Sequence, residues 1–212
     1  MSRRNKLDDR SARHDGAYHR AKKEGFAARA VFKLVELDKR FRLLQPGRRV
    51  LDLGCWPGSW MQYAAERVGE HGRVIGYDLR AAEIALPSWA DARVGDVTTL
   101  DTAALLAEEG PFDLVLSDMA PHTTGDRLSD QFHSEELCAR ALEIAIAVLR
   151  PGGHFAAKVF QGGGLPKLLA GVKVAFAEPK AVHVEATRTG SREQYLVGRG
   201  LKAGASAVAK SR

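Results

Sequence analysis

The chain has 212 residues, of which 45% are hydrophobic and 27% charged; this is the make-up of one globular domain and excludes an intrinsically disordered chain. No apolar run approaches the ~20 residues of a membrane span, the opening MSRRNKLDDRSARHDG holds no apolar segment to serve as a signal peptide, and the two cysteines, Cys55 and Cys138, suggest neither a disulfide framework nor a cysteine-based zinc site. A net charge of +6 with a pI near 9.5 favours an anionic partner, nucleic acid first, and a reducing, cytoplasmic location without membrane or metal is expected.

In chain order, residues 1–22 are polar and rich in Arg3, Arg4, Lys6, Arg10, Arg13, Arg20 and Lys22, and predict a mobile basic arm. Residues 23–200 then alternate strand-like and helix-like segments. Ala30, Leu34, Leu37 and Phe41 form an apolar helix stripe. RRVLDLGCWPG predicts a short strand ending in a glycine–proline turn, with a helix after it from about Ser59 to Val68. GRVIGYDL and ARVGD predict the second and third strands, a short helix near 100–108 follows, and FDLVLSDMAP predicts the fourth strand. Leu137, Ala141, Ile144, Ala145 and Val148 mark a long helix before the fifth strand, GGHFAAKVF. Leu165, Leu168, Leu169, Val172 and Phe176 mark another helix, and KAVHV and QYLVGR predict two closing strands. Residues 201–212 predict a flexible tail. Seven strands with crossover helices describe an α/β fold, a Rossmann-like, mainly parallel sheet with helices on both faces. Such sheets bind ligands outside the carboxyl ends of their strands.

Those strand ends carry a consistent chemistry. Gly54 and Gly58 in LDLGCWPGSW let a ligand approach the backbone closely, but the pattern is not G-x-G-x-x-G and disfavours a dinucleotide pyrophosphate, hence a nicotinamide oxidoreductase. Asp78 ends the second strand, where it is placed to take ribose hydroxyls, and Asp96 ends the third, placed for an adenine amino group. Asp52 precedes the glycines and can meet an amine through water. Strand-end acids around a glycine turn suit S-adenosylmethionine, a cation with a ribose and no phosphate. Lys158 is the odd residue: it lies inside the apolar run HFAAKVF, and a lysine is rarely buried unless paired.

ARAVFKLVEL, LDLGCWPGSW, LVLSDMAP, GGHFAAKVFQGGG and SREQYLV, in this order over roughly residues 18–200, resemble the motifs of FtsJ-like ribose 2′-O-methyltransferases, and most closely the bacterial heat-shock type acting on large-subunit ribosomal RNA. The resemblance implies a Lys-Asp-Lys-Glu tetrad at Lys33, Asp118, Lys158 and Glu193, and cofactor contacts at Asp52, Gly54, Pro57, Gly58, Trp60, Asp78, Asp96 and Asp118. It also implies a 23S ribosomal RNA substrate within the large subunit, with a uridine of the peptidyl-transferase A-loop as the target. Another RNA, such as transfer RNA or a messenger RNA cap, and a non-catalytic ribosome assembly role are the alternatives. A monomer is expected. Two segments depart from the family pattern: CWPGSW replaces A-A-P-G-G-W, placing Trp56 and Ser59 where small residues are usual, and HTTG replaces an asparagine and a Ser-Gly turn.

The reaction so implied is in-line attack of a ribose hydroxyl on a sulfonium methyl group, in which the protein positions the nucleophile and manages one proton. A lysine at its reference pKa of ~10.4 is almost wholly protonated at neutral pH. Burial and neighbouring positive charge favour the neutral form of a lysine, and a neighbouring carboxylate favours the charged form. Lys158 is expected as the proton acceptor with Asp118 orienting it, and Lys33 and Glu193 as placing the hydroxyl and holding the lysine network together. Arg20, Lys22, Lys23, Arg29, Arg188 and Arg192 are candidate RNA phosphate contacts, with Tyr18 and Phe26 as candidate base-stacking residues.

Overall fold

A computed structural model of the chain describes residues 16–121, 124–187 and 190–205. Its elements run α1 (Gly16–Lys23), α2 (Val31–Phe41), β1 (Arg49–Leu53), α3 (Ser59–Val68), β2 (Arg73–Asp78), β3 (Ala90–Val94), α4 (Thr102–Glu109), β4 (Phe112–Ser117), α5 (Arg127–Val148), β5 (Leu149–Phe160), α6 (Leu165–Ala175), β6 (Phe176–Val182) and β7 (Glu193–Leu201). The seven strands form one sheet in the order β3-β2-β1-β4-β5-β7-β6. All neighbours pair parallel except β7, which runs antiparallel to β5 and β6. The chain winds outward from β1 to β3 and returns to β4 on the other side of β1. The strand order therefore reverses between β1 and β4, and their carboxyl ends form the crevice where such sheets bind ligands.

The pleat sorts the strand residues onto two faces. Leu51, Leu53, Val115, Phe155 and Ala157 face α4, α5 and α6 in one apolar cluster. Val50, Leu114, Leu116, Ala156, Tyr195 and Val197 face α2 and α3 in the other. Continuing each alternation to the strand ends puts Asp52, Asp118, Lys158 and Glu193 on this second face. The helix side is matched to it: Leu34 and Leu37 of α2 are fully buried, and Lys33, next to Leu34, is 9% exposed. Local chemistry fixes where the helices start. Asp101 and Asp126 cap α4 and α5 by accepting from the first free backbone N–H groups of each helix.

The strands and long helices lie where the sequence places them, with three differences. Residues 16–22, expected within the basic arm, belong to α1, whose Ala21 is 1% exposed against Val31 and Phe32. Residues 1–15 lie outside the described residues, as do 206–212 of the expected tail. The final strand continues to Leu201, and Lys202 after it donates to the carbonyls of Lys173 and Val174, closing α6. β6 also starts earlier than expected, at Phe176, and carries Pro179; it is the edge strand, where a residue without an N–H is tolerated.

Candidate active site

Four elements converge on one carboxylate. Asp118 follows β4 directly, and Lys158 Nζ lies 3.1 Å from its Oδ1 while donating to its backbone carbonyl at 2.6 Å. Lys33 Nζ lies 3.6 Å from the same Oδ1 and donates to Glu193 Oε2 at 2.6 Å. The Tyr195 hydroxyl donates to Asp118 Oδ1 at 2.6 Å. The register explains the convergence. Lys158 faces Tyr195 and Phe160 faces Glu193 across the β5–β7 ladder, so one antiparallel pair brings the lysine, the tyrosine and the glutamate to the same face. The structure thus gathers the four residues expected as a tetrad, and the 6% exposure of Lys158 is paired burial.

The electrostatics follow from this sharing. Burial alone would lower the pKa of Lys33, but Asp118 and Glu193 outweigh it and the ammonium is held more firmly than in water, with Arg29 opposing weakly. Burial alone would raise the pKa of Asp118; Lys158, Lys33 and the Tyr195 hydrogen bond reverse that and keep it ionised. Tyr195 itself is fully buried, and burial together with the Asp118 charge pushes its pKa well up, so it remains a donor. Tyr195 is not among the residues the sequence motifs point to. Its signal there was spacing: two residues after Glu193 in a strand puts it on the same face.

Asp52 behaves differently. It is 1% exposed, and neither carboxyl oxygen has a hydrogen-bond partner among the described residues. Burial first, then the charges of Asp118 and Asp78, raise its pKa to about 8. An orphaned buried carboxyl is costly unless a cation or donor meets it. It lies one residue before the end of β1, at the crevice, two residues ahead of the first glycine of the turn.

The turn is built for close approach. Gly54 and Gly58 have φ of 79° and 112°, and a Cβ on either would collide with the Met119 or Ile84 side chain respectively. Asp78 accepts from the backbone N–H of Trp56 at 3.0 Å and of Arg80 at 3.0 Å, which fixes its carboxylate beside the turn with lone pairs to spare. Trp56 is 40% exposed and the Arg80 guanidinium lies over its ring at 4.9 Å; Pro57 follows it in the turn. Leu79, 66% exposed directly after Asp78, presents an apolar surface there. Asp96 caps a single 3-10 turn through Thr98, whose hydrogen bonds lower its pKa. Trp60, expected at the cofactor, lies beneath the turn: its indole donates to the Ala30 carbonyl at 2.8 Å and stacks on Tyr195 with centroids 6.1 Å apart. It bears on the tetrad through that tyrosine.

The candidate RNA contacts separate. Arg29 acts on Lys33 and so belongs to the rim of the tetrad. The backbone carbonyl of Arg192 accepts from Gln161 at 2.8 Å, tying its loop to the end of β5. Lys22 and Lys23 are exposed at the end of α1, with Lys22 over the Tyr18 ring at 5.7 Å. Arg20 is engaged locally, over the Phe32 ring at 3.9 Å and paired with Glu24 at 3.0 Å. Phe26 is partly buried against Val31 and Phe32. Arg188 lies outside the described residues.

These residues fit S-adenosylmethionine. The unpartnered Asp52 suits a cationic methionine end, the glycine turn gives backbone access, and Asp78 and Asp96 offer acceptors in the order ribose, then adenine. The fit makes a measurable claim. With its pKa raised to about 8 by burial, Asp52 is largely protonated at pH 7, and a cation bound against its ionised form displaces that proton. Calorimetry in buffers of different ionisation enthalpy is expected to show that release, with affinity rising from pH 6 to pH 8. Asp52→Asn is expected to abolish the release and to weaken binding roughly tenfold or more, the loss of a charge-assisted contact.

The sequence profile of FtsJ-like methyltransferases matches residues 26–201. The ribosomal RNA large subunit methyltransferase E of Syntrophobacter fumaroxidans is 49% identical over 189 residues, covering 89% of this chain and 96% of that protein. A Plasmodium falciparum protein provisionally described as a ribosomal RNA methyltransferase has a crystal structure similar to this one, with a TM-score of 0.73 at 26% identity, over 83% of this chain and 98% of that one. Fibrillarin of Aeropyrum pernix, crystallised with S-adenosyl-L-methionine, shares the fold with a TM-score of 0.56 at 14% identity, over 79% of this chain and 72% of its own. The chain belongs to the FtsJ-like methyltransferase family, RNA methyltransferases that draw their methyl group from S-adenosylmethionine.

Proposed function

We propose that this enzyme methylates a ribose 2′-hydroxyl of large-subunit ribosomal RNA, at a uridine of the A-loop. The observation that carries the reading is the tetrad itself: two buried lysines share one carboxylate, and Glu193 holds one of them. The named relative, a ribosomal RNA large subunit methyltransferase E, supports the substrate class.

When bound, S-adenosylmethionine supplies a methyl group already activated by the sulfonium charge. The protein's task is then to orient the hydroxyl and to take its proton. Lys158 is surrounded for that task. As a neutral amine it has two N–H groups and one lone pair, and two acceptors lie within reach: the Asp118 carbonyl at 2.6 Å and Oδ1 at 3.1 Å. With both N–H groups so engaged, the lone pair is directed away from Asp118, free for the hydroxyl proton. Once protonated, the ammonium sits beside an ionised carboxylate. Lys33 is held cationic by Asp118 and Glu193, and serves as the fixed charge that places the hydroxyl oxygen.

The test is transfer of labelled methyl from S-adenosylmethionine to large ribosomal subunits from a strain lacking the enzyme, with the modified nucleotide mapped. Label on the ribose of an A-loop uridine is expected. Label on a base, or no label on RNA, overturns the reading.

A further inference from the structure

A cavity of about 360 Å³ opens beside the cofactor turn, lined by Lys22, Gly25, Phe26, Ala27, Pro57, Gln62, Glu83 and Ile84. Its volume falls in the range of small-ligand pockets, about 300–1,000 Å³. It stands apart from the tetrad but is built on the same supports. Pro57 belongs to the glycine turn, Gln62 to α3, and the Gly25–Ala27 loop leads into α2, which carries Lys33.

The cavity is pre-formed. Gln62 pins the loop from α3, its Oε1 accepting from the Ala27 N–H at 2.8 Å and its Nε2 donating to the Gly25 carbonyl at 3.2 Å. The Phe26 N–H donates to the Ala21 carbonyl at 2.9 Å, anchoring the loop to α1. Gly25 turns the chain at φ 81°, which favours glycine. Ile84 is seated over Gly58, where a Cβ would displace it, so this wall depends on the turn being glycine.

The lining has the chemistry of base recognition. Phe26, Pro57 and Ile84 are half-buried and supply flat or apolar walls. Glu83 can accept from an exocyclic amino group, and the second N–H of Gln62 Nε2 can donate to a ring acceptor. Lys22, exposed at the end of α1, supplies a cation for the attached phosphate. Aromatic wall, hydrogen-bonding edge and phosphate cation together match a splayed nucleotide of single-stranded RNA.

We propose that this cavity receives one unstacked nucleobase of the ribosomal RNA, a neighbour of the nucleotide whose ribose is presented to the tetrad. The inference rests on the ribose-methylation reading and adds a second point of attachment, on the cofactor side of α2. Such an anchor fixes the register of the strand, and so which 2′-hydroxyl reaches Lys158.

Two variants test it. Phe26→Leu keeps the volume packed against Val31 and Phe32 but removes the aromatic face, and Ala27→Trp fills the cavity from its exposed side. With large subunits from a strain lacking the enzyme, each is expected to raise the KM for subunits about tenfold, the effect falling on KM and not on kcat. The Kd for S-adenosylmethionine is expected within twofold of the parent. A folded variant of either kind with the parent's KM overturns the proposal. So does a weakened S-adenosylmethionine Kd with an unchanged KM, which gives the cavity to the cofactor. Ribose labelling by the parent enzyme tests the underlying reading separately. Should that fail, retention of labelled subunits on filters by parent and variants still reads the cavity directly.

Discussion

Lys158→Ala is expected to lower kcat for methyl transfer by roughly 10²–10⁴, the usual worth of a positioned acid–base group, while S-adenosylmethionine binds within a few-fold of the parent. The loss is chemical because the rest of the cluster survives the truncation. Asp118 keeps Lys33 at 3.6 Å and the Tyr195 hydroxyl at 2.6 Å, so it stays ionised and in place. Lys158→Arg separates a proton acceptor from a mere positive charge. A guanidinium restores the pairing with Asp118 but stays protonated at any accessible pH and has no lone pair to offer. The arginine variant is therefore expected to be as inactive as the alanine one. Recovery of a tenth or more of the parent kcat by arginine would assign Lys158 a purely electrostatic role.

Much of this site is legible in the sequence because strand ends and period-two alternation are local properties. Asp52, Asp78, Asp96 and Asp118 announce themselves as acids closing apolar strands, and Lys158 as a charge with no apolar alternative. What the sequence does not contain is the pairing. Lys33 and Glu193 are 160 residues apart, and only the insertion of β7 between β5 and β6 brings them together. Tyr195 carries only its spacing from Glu193 as a signal, since an apolar strand accounts for a tyrosine without invoking its hydroxyl. Trp60 shows the converse: a motif residue with an obvious place at the cofactor is spent on Ala30 and Tyr195 beneath it. Arg20 shows how little a basic composition says about individual side chains, because a neighbouring Glu24 and a Phe32 ring engage it. Residues 16–22 read as an arm because their apolar content is small; Ala21 alone is buried, and its partners Val31 and Phe32 lie on the next helix.

Asp118→Asn is expected to cost stability as well as activity, and more stability than the change at Lys158, which leaves Asp118 paired with Lys33 and Tyr195. The carboxylate is the one negative charge that both lysines share, and with an amide in its place Lys158 is left with neutral acceptors only. Removing one member of a buried ionic cluster typically costs about 3–5 kcal/mol, because the remaining charge is buried without compensation. For a domain of this size that corresponds to a fall in Tm of roughly 6–20 °C. The pH dependence gives the sign. The folded-state pKa of Asp118 is lowered, so its contribution is present above the unfolded value of 3.8 and is lost as pH falls through the folded one. The pKa of Lys33 is raised, so its contribution is present below the unfolded value of 10.5 and is lost as pH rises through the folded one. In the asparagine variant Lys33 keeps only Glu193, so its folded-state pKa falls below the parent's and its contribution shrinks. Thermal unfolding of both proteins is expected to show a level gap between pH 5 and pH 10, where both contributions are complete in the parent, that narrows as pH falls below 3.8. Equal Tm values across that range would mean that the two lysines do not depend on Asp118 for their burial. The shared carboxylate would then be a catalytic device alone, and the placement of Lys33 would have to rest on Glu193.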